Sequence, residues 1–431
     1  MHWNARISNA RDQLRRAICI LPLTAMGFGS LAAQEMTPEA YHAEQIKLHQ
    51  QVAAIQNDLN AGVVAPKRTA LQEFTRQLRS GIRPTDPRFK NFQDVLRFYV
   101  FQLSDPKLTE DAGQVQQLKN NLERRISGVG SRRTLQAEQE AIRMAVMGEV
   151  LKLLNDLMEN NFIARSVAIE LMPTLIVFAP PNKPIAVRKM LPGVARSLVA
   201  ILTDPKQPDT VKARAAMSIK QHLARVIAGG VDQARYVEAI HDELISHVKS
   251  PVYQYVLVDT LSMISIPRQV DGDREALAIE TLVMVMQDNR RDLLTRCRAA
   301  AGLGQVGYDR PVNFDPIAWK IVQLAGETGD AYNAAGDRGD SWKYCGQYLY
   351  LAFHHPNAQL AVADIPHGIL NRTPGSKLVN EAYRKTLPVA AHLYLERPSV
   401  PKDALKSASE WVSTSRPEDL SYEPQAEPIV P

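Results

Sequence analysis

Apolar side chains recur along this chain at helical intervals almost throughout. Tyr41, Leu48, Val52, Ile55 and Leu59 follow one another at seven-, four-, three- and four-residue steps, which draws one apolar stripe along a helix otherwise rich in Gln, Lys and Asn. Thr37-Pro38-Glu39 starts that helix with an N-cap, a proline at the first helical position and an acid at the positive end. Its seam is short and carries Gln45, so packing against its own chain is expected rather than a coiled-coil partner. Shorter amphipathic helices are predicted near Thr69–Arg79 (Leu71, Phe74, Leu78 inward) and Pro87–Leu103 (Phe89, Phe92, Val95, Leu96, Tyr99, Val100). A third, near Thr109–Ile126, turns Val115, Leu118, Leu122 and Ile126 to one side before Gly128-Val129-Gly130-Ser131 breaks the chain. No stretch alternates strictly enough for a half-buried strand, so the expected class is all-α.

From about residue 132 the pattern repeats. Stretches beginning at Val150, Val199, Ile245 and Val283 each read as a helix end, a short turn and a second helix with a small or apolar centre. The matched centres are Ala168, Ala216, Val258 and Ala300, so the pattern returns every forty-odd positions. A period in the forties built from helix pairs marks an α-solenoid, because one pair cannot bury its apolar face without a neighbour.

Asp204 precedes Arg214 by ten positions, Asp288 precedes Arg298 by ten, and the two pairs stand two periods apart. With RCRAAAGLGQVG from Arg296 to Gly307, these residues resemble HEAT repeats of the armadillo-like class. The likeness covers residues 132–330 and, more loosely, 331–396; it is interrupted where Ser250 and Thr260 stand in place of the Asp and Arg. The resemblance implies a right-handed α-solenoid following an irregular helical N-terminal region. It also implies a structural ladder of Asp204, Arg214, Asp288 and Arg298, and a surface used for protein binding.

Gly326 to Gly339 reads as a polar insertion between paired helices. A helix at Ser341–His354 follows, with Trp342, Cys345, Tyr348, Leu349 and Ala352 as its buried stripe. Another at Lys377–Leu395 contains Pro388, which should kink or shorten it. Six prolines between Arg397 and the C-terminus predict a mostly disordered tail.

Residues 1–33 change the charge picture. Arg6, Arg11, Arg15 and Arg16 precede an apolar run from Ala17 to Ala33 that ends in small residues, the order of a secretory signal cleaved after Ala32 or Ala33. The run contains Pro22, Gly27 and Gly29 and is short for a retained membrane span. Its removal takes four Arg and one Asp from 51 basic and 46 acidic residues, leaving 47 against 45. That near-neutral balance gives no reason to expect nucleic acid as partner. The expected organisation is a signal over 1–33, an N-terminal helical region over 34–131, a HEAT-like solenoid over 132–396 and a tail over 397–431. Cys297 and Cys345 then remain, either as one disulfide or as two buried thiols.

Candidate chemistry is sparse. His241 and His247 are six apart and point to different sides of a helix, unlike the pairing that places two imidazoles on one metal. Asp330, Asp337 and Asp340 lack the regular spacing and closing Glu of a calcium loop, Arg338-Gly339-Asp340 reads as a turn, and His354-His355 as a helix end. Ser399-Val400-Pro401-Lys402 fits an acylating SxxK pattern, but at the start of a proline-rich tail. No catalytic residue, metal site or cofactor is therefore assigned. The remaining candidate is a surface: Lys220, Arg225, Arg290, Arg291 and Arg296, joined by Lys212, on second-helix segments two repeats apart, would make a basic stripe for an acidic protein or an anionic envelope polymer. The expected protein is an exported (periplasmic, envelope-associated or extracellular), non-catalytic scaffold. A helical envelope enzyme or accessory subunit with a scattered active site is the alternative. A nucleic-acid role would require residues 1–33 not to direct export.

Overall fold

A computed structural model describes residues 67–105, 111–132, 136–178, 189–225, 233–246, 250–264, 272–305, 312–336, 339–354, 368–373 and 375–420. The predicted signal and the Tyr41–Leu59 helix lie outside them. Among the described residues helix makes up 78% in 16 α-helices and strand is almost absent, so the class is all-α. The described residues fall into two compact units, one within Ser30–Asp232 and one within Gln233–Pro431. The division lies inside the stretch expected as one array over 132–396.

The first unit contains α1 (Lys67–Ser80), α2 (Phe89–Phe101), α3 (Ala112–Ser127), α4 (Gln136–Asp156), α5 (Phe162–Leu171), α6 (Val194–Thr203) and α7 (Asp209–Arg225). The first three match the predicted amphipathic helices because their apolar faces find a core: Phe74, Phe92, Val100, Leu122 and Ile126 are all buried. Phe74 stacks on Phe92 with ring centroids 4.9 Å apart, and the Arg125 guanidinium lies 4.1 Å from the Tyr99 ring centre. Asp111 caps α3 by accepting the Gly113 N–H at 2.7 Å, and Asn161 caps α5 by accepting the Ala164 N–H at 2.9 Å. The expectation of no strand is corrected at one place. Ile176–Phe178 (β1) and Lys189–Met190 (β2) pair antiparallel, a ribbon too short for alternation to register in the sequence.

The second unit contains α8 (Gln233–Ser246), α9 (Pro251–Ile264), α10 (Gly272–Gln287), α11 (Leu293–Gln305), α12 (Asp315–Ala334), α13 (Ser341–Phe353), α14 (Ile369–Arg372), α15 (Lys377–Tyr394) and α16 (Lys402–Thr414). Here α9, α11, α13 and α15 pack side by side in succession, while α8 packs against α10 and α12 against α15 and α16. The four aligned centres, Ala168 and Ala216 in the first unit and Val258 and Ala300 in the second, are completely buried. Glycine draws the backbones together in the second unit. A Cβ on Gly304 would overlap the Ala352 carbonyl, and one on Gly346 would come within 2.6 Å of the Ala390 carbonyl oxygen.

Three further expectations are corrected. Gly326 and Gly329 are not in an insertion but inside α12, which runs to Ala334; Gly329 makes room for Leu405 and Val389. Pro388 does not shorten α15, which continues to Tyr394 because Val389, Ala390 and Leu393 beyond it are fully buried. The start of the proline-rich tail is ordered as α16. Trp319 Nε1 donates to the Val412 carbonyl at 2.9 Å, and Trp411 Nε1 donates to Glu381 at 3.2 Å, so two indoles clamp it to α12 and α15.

Candidate functional site

The turns before α7 and α11 share a construction, two sequence periods apart. Asp204 accepts the Lys206 N–H at 2.9 Å, and Asp288 accepts the Arg290 N–H at 3.2 Å, so each aspartate closes its own turn. The residue three places on then reaches back to the preceding helix pair. Gln207 donates to the Met158 carbonyl at 3.3 Å and accepts from Arg165 of α5 at 3.2 Å. Arg291 donates to the Leu244 carbonyl at 2.6 Å and to Gln254 of α9 at 2.9 Å.

The second helices are joined in the same way. Arg214 of α7 lies 3.2 Å from Glu170 of α5, which also holds Lys119 of α3 at 2.6 Å. Arg298 of α11 lies 2.9 Å from Asp259 of α9. The ladder of Asp204, Arg214, Asp288 and Arg298 that the resemblance implies therefore reaches adjacent turns through its arginines, and its members do not bond one another. Each arginine takes its acid from the preceding second helix, and each aspartate serves its turn. The missed acids had a signal. Each arginine stands two positions before its small central residue, and its acid stands one or two positions after the matching centre one repeat earlier.

Around Arg298 the second-helix layer carries a polar and aromatic cluster. Its guanidinium lies 5.4 Å from the Tyr348 ring centre, and the hydroxyls of Tyr348 on α13 and Tyr255 on α9 are hydrogen-bonded. Burial, then the Tyr348 hydroxyl and the Asp259 carboxylate, push the Tyr255 phenol up; burial does the same to Tyr348. Burial opposes the charge on Arg298, but Asp259 and the phenol oxygens outweigh it and hold the guanidinium above its ordinary value. Three successive helices thus present two neutral phenols and a closed ion pair, groups suited to packing and hydrogen bonding rather than to proton transfer. Further along, Lys343 of α13 pairs with Glu396 at 3.7 Å and stands 6.0 Å from the Tyr394 ring centre.

The proposed basic stripe does not form a surface. Arg290 is exposed beside Asp288 at 2.8 Å. The Arg291 side chain is only 1% exposed, held by Asp288, Gln254 and the Leu244 carbonyl. Arg296 is buried too, donating to the Met286 carbonyl at 2.9 Å and to Glu327 at 2.6 Å. Lys212 is buried and Lys220 half-buried on α7; the Arg225 side chain lies outside the described residues. The arginines are buried because carbonyls and acids of their own and neighbouring helix pairs meet their donors.

The other sequence candidates disperse. His241 Nδ1 bonds the Thr281 hydroxyl at 2.6 Å, while His247, Asp337 and Arg338 lie outside the described residues. Asp330 is on exposed helix, and Ser399 and Lys402 are exposed at the start of α16. Among the described residues no group of three or more His, Cys, Asp or Glu is arranged to hold a metal. Nor is any described helix long and apolar enough to cross a membrane. An open cleft of about 530 Å³ lies between the starts of α12 and α15. There Ser376 donates to Asp315 at 2.9 Å and accepts the Val379 N–H at 3.1 Å, so its polar groups serve one another. Comparison with protein-family models, curated proteins and solved structures returns no match.

Proposed function

We propose that this protein is an exported, non-catalytic scaffold of HEAT-like helix pairs that binds a protein partner in the cell envelope. The observation that carries the reading is the recurrence of one bracket two periods along the chain, Gln207 with Met158 and Arg165, then Arg291 with Leu244 and Gln254. Equivalent bonds between successive pairs are what a right-handed α-solenoid requires, since each repeat is stabilised chiefly by its neighbours. Export rests on the charged, apolar and small-residue order of residues 1–33.

With Arg291 and Arg296 buried, the basis for an anionic polymer falls away and the protein partner is kept. Its docking face is the second-helix layer of the second unit, where Lys343 and Tyr394 are half-buried beside Tyr348. Aromatic side chains bury large area at low entropy cost and are enriched in interfaces. The test is capture from envelope fractions on immobilised full-length chain, beside a Lys343→Glu, Tyr394→Ala variant with unchanged circular dichroism. Selective loss of one captured protein is expected; equal retention of every captured protein overturns the assignment of this face.

A further inference from the structure

Helices α11 and α13 run parallel and in register. Gly304 meets Ala352, Ala301 packs with Tyr350 and Leu351, and Arg298 covers Tyr348. The sequence offset from Gly304 to Ala352 equals that from Cys297 to Cys345, and each cysteine stands about two helical turns before its helix's member of that contact. The same register therefore brings the two cysteines to one level of the interface. Both residues are buried, the Cys297 thiol bears on that of Cys345, and the two are not joined. Cys297 Sγ also lies 3.7 Å from the Thr328 hydroxyl of α12.

The backbones are held close on both sides of this pair. Gly304 sets the separation of α11 from α13, and Gly346, next to Cys345, sets that of α13 from α15. A disulfide needs its two Cβ atoms about 3.5–4.5 Å apart, a separation that glycine-lined parallel helices bring within reach of facing residues. The Cys297 thiol, then burial, hold the Cys345 thiol well above its ordinary value, so Cys345 is a poor nucleophile in the folded chain.

We propose that Cys297 and Cys345 form an oxidation site, closing to an internal disulfide that locks α11 to α13 as the chain folds in an oxidising compartment. The oxidant is a disulfide, either of a thiol oxidoreductase or of a small thiol. One cysteine thiolate attacks an oxidant sulfur and expels the first thiol; the second cysteine then attacks the mixed disulfide and expels the other. Two protons and two electrons leave with the two released thiols. Because both sulfurs are covered in the folded chain, exchange occurs during folding or local opening and is slow once α11 and α13 have packed. The site holds whether or not the layer binds a partner.

The test uses the full chain, unfolded, reduced and refolded in buffer containing glutathione disulfide and glutathione. Thiols are blocked under denaturing conditions before digestion and mass mapping. The expected product is a Cys297–Cys345 linked peptide lacking two hydrogens, without Cys19. A melting temperature several degrees above that of the reduced chain is also expected, with the gain absent in Cys297→Ser and Cys345→Ser. Adding the same oxidant to already folded, reduced chain should give that peptide many times more slowly. Refolded chain with both cysteines still blocked, or carrying glutathione on either instead of the cross-link, overturns the proposal. Peptide mapping of the unaltered chain decides it even if a serine variant fails to fold.

Discussion

Arg298 and Asp259 are bonded at 2.9 Å from two different helices, and the arginine side chain is only 6% exposed. Removing the acid leaves a buried guanidinium without its countercharge. Asp259→Ala should lower stability by about 2–4 kcal/mol, read from urea unfolding. Asp204→Ala removes one turn bond and should cost about 1 kcal/mol or less. Equal losses would contradict the placement of the charge pairs between second helices.

Asp288 gives the account a pH signature. Hydrogen bonds from Arg290 lower its carboxyl to about 2, below the ordinary aspartate value. A lowered folded value means stability that is present above about pH 4 and lost as pH falls toward 2. Asp288→Asn should cost about 2 kcal/mol at neutral pH, because it also leaves the buried Arg291 guanidinium without its carboxylate. The gap from the unaltered chain should close near pH 2, and a gap that widens on acidification would have the wrong sign.

Two glycines should answer oppositely to alanine. At Gly304 the new methyl meets the Ala352 backbone, which cannot give way, so Gly304→Ala should cost about 3 kcal/mol or more. At Gly326 on α12 nothing lies within 4 Å of a built Cβ, and helix propensity alone should leave the chain unchanged or up to about 1 kcal/mol more stable. Thermal unfolding of the two variants checks both signs.

Arg290 and Arg291 are adjacent in sequence and opposite in exposure. Arg290→Glu should leave circular dichroism and cooperative unfolding intact. Arg291→Glu places a buried carboxylate against the Leu244 carbonyl and should prevent cooperative folding. A folded Arg291→Glu chain would contradict the bracket.

The helices were legible because their apolar positions recur every three to four residues, and Phe74, Leu122 and Leu349 are buried where that recurrence puts them. Burial of the matched positions Ala168, Ala216, Val258 and Ala300 was legible for a related reason: small or branched residues fit where helices touch. The ladder was not, because ten positions within one repeat is a distance along the chain, while the bonds run sideways to Asp259 and Glu170. Arg291 and Arg296 looked like surface residues because residue type alone does not reveal carbonyls waiting one repeat away. The ordering of α16 was hidden by the prolines on either side of it, although Ala408 and Trp411 are spaced to sit on one buried face. The Tyr255–Tyr348 contact was not legible, since the two residues meet from distant parts of the sequence.

The central claim is that, within each unit, neighbouring second helices are joined by an arginine–acid pair, Arg214 with Glu170 in the first and Arg298 with Asp259 in the second. Double-mutant cycles on Arg298 with Asp259 and on Arg214 with Glu170 test it most directly, beside cycles on Arg298 with Asp288 and on Arg214 with Asp204. The account predicts coupling of about 1 kcal/mol or more in the first two cycles and additivity within about 0.5 kcal/mol in the last two. Coupling confined to the pairs within one repeat, or absent from all four, would contradict it.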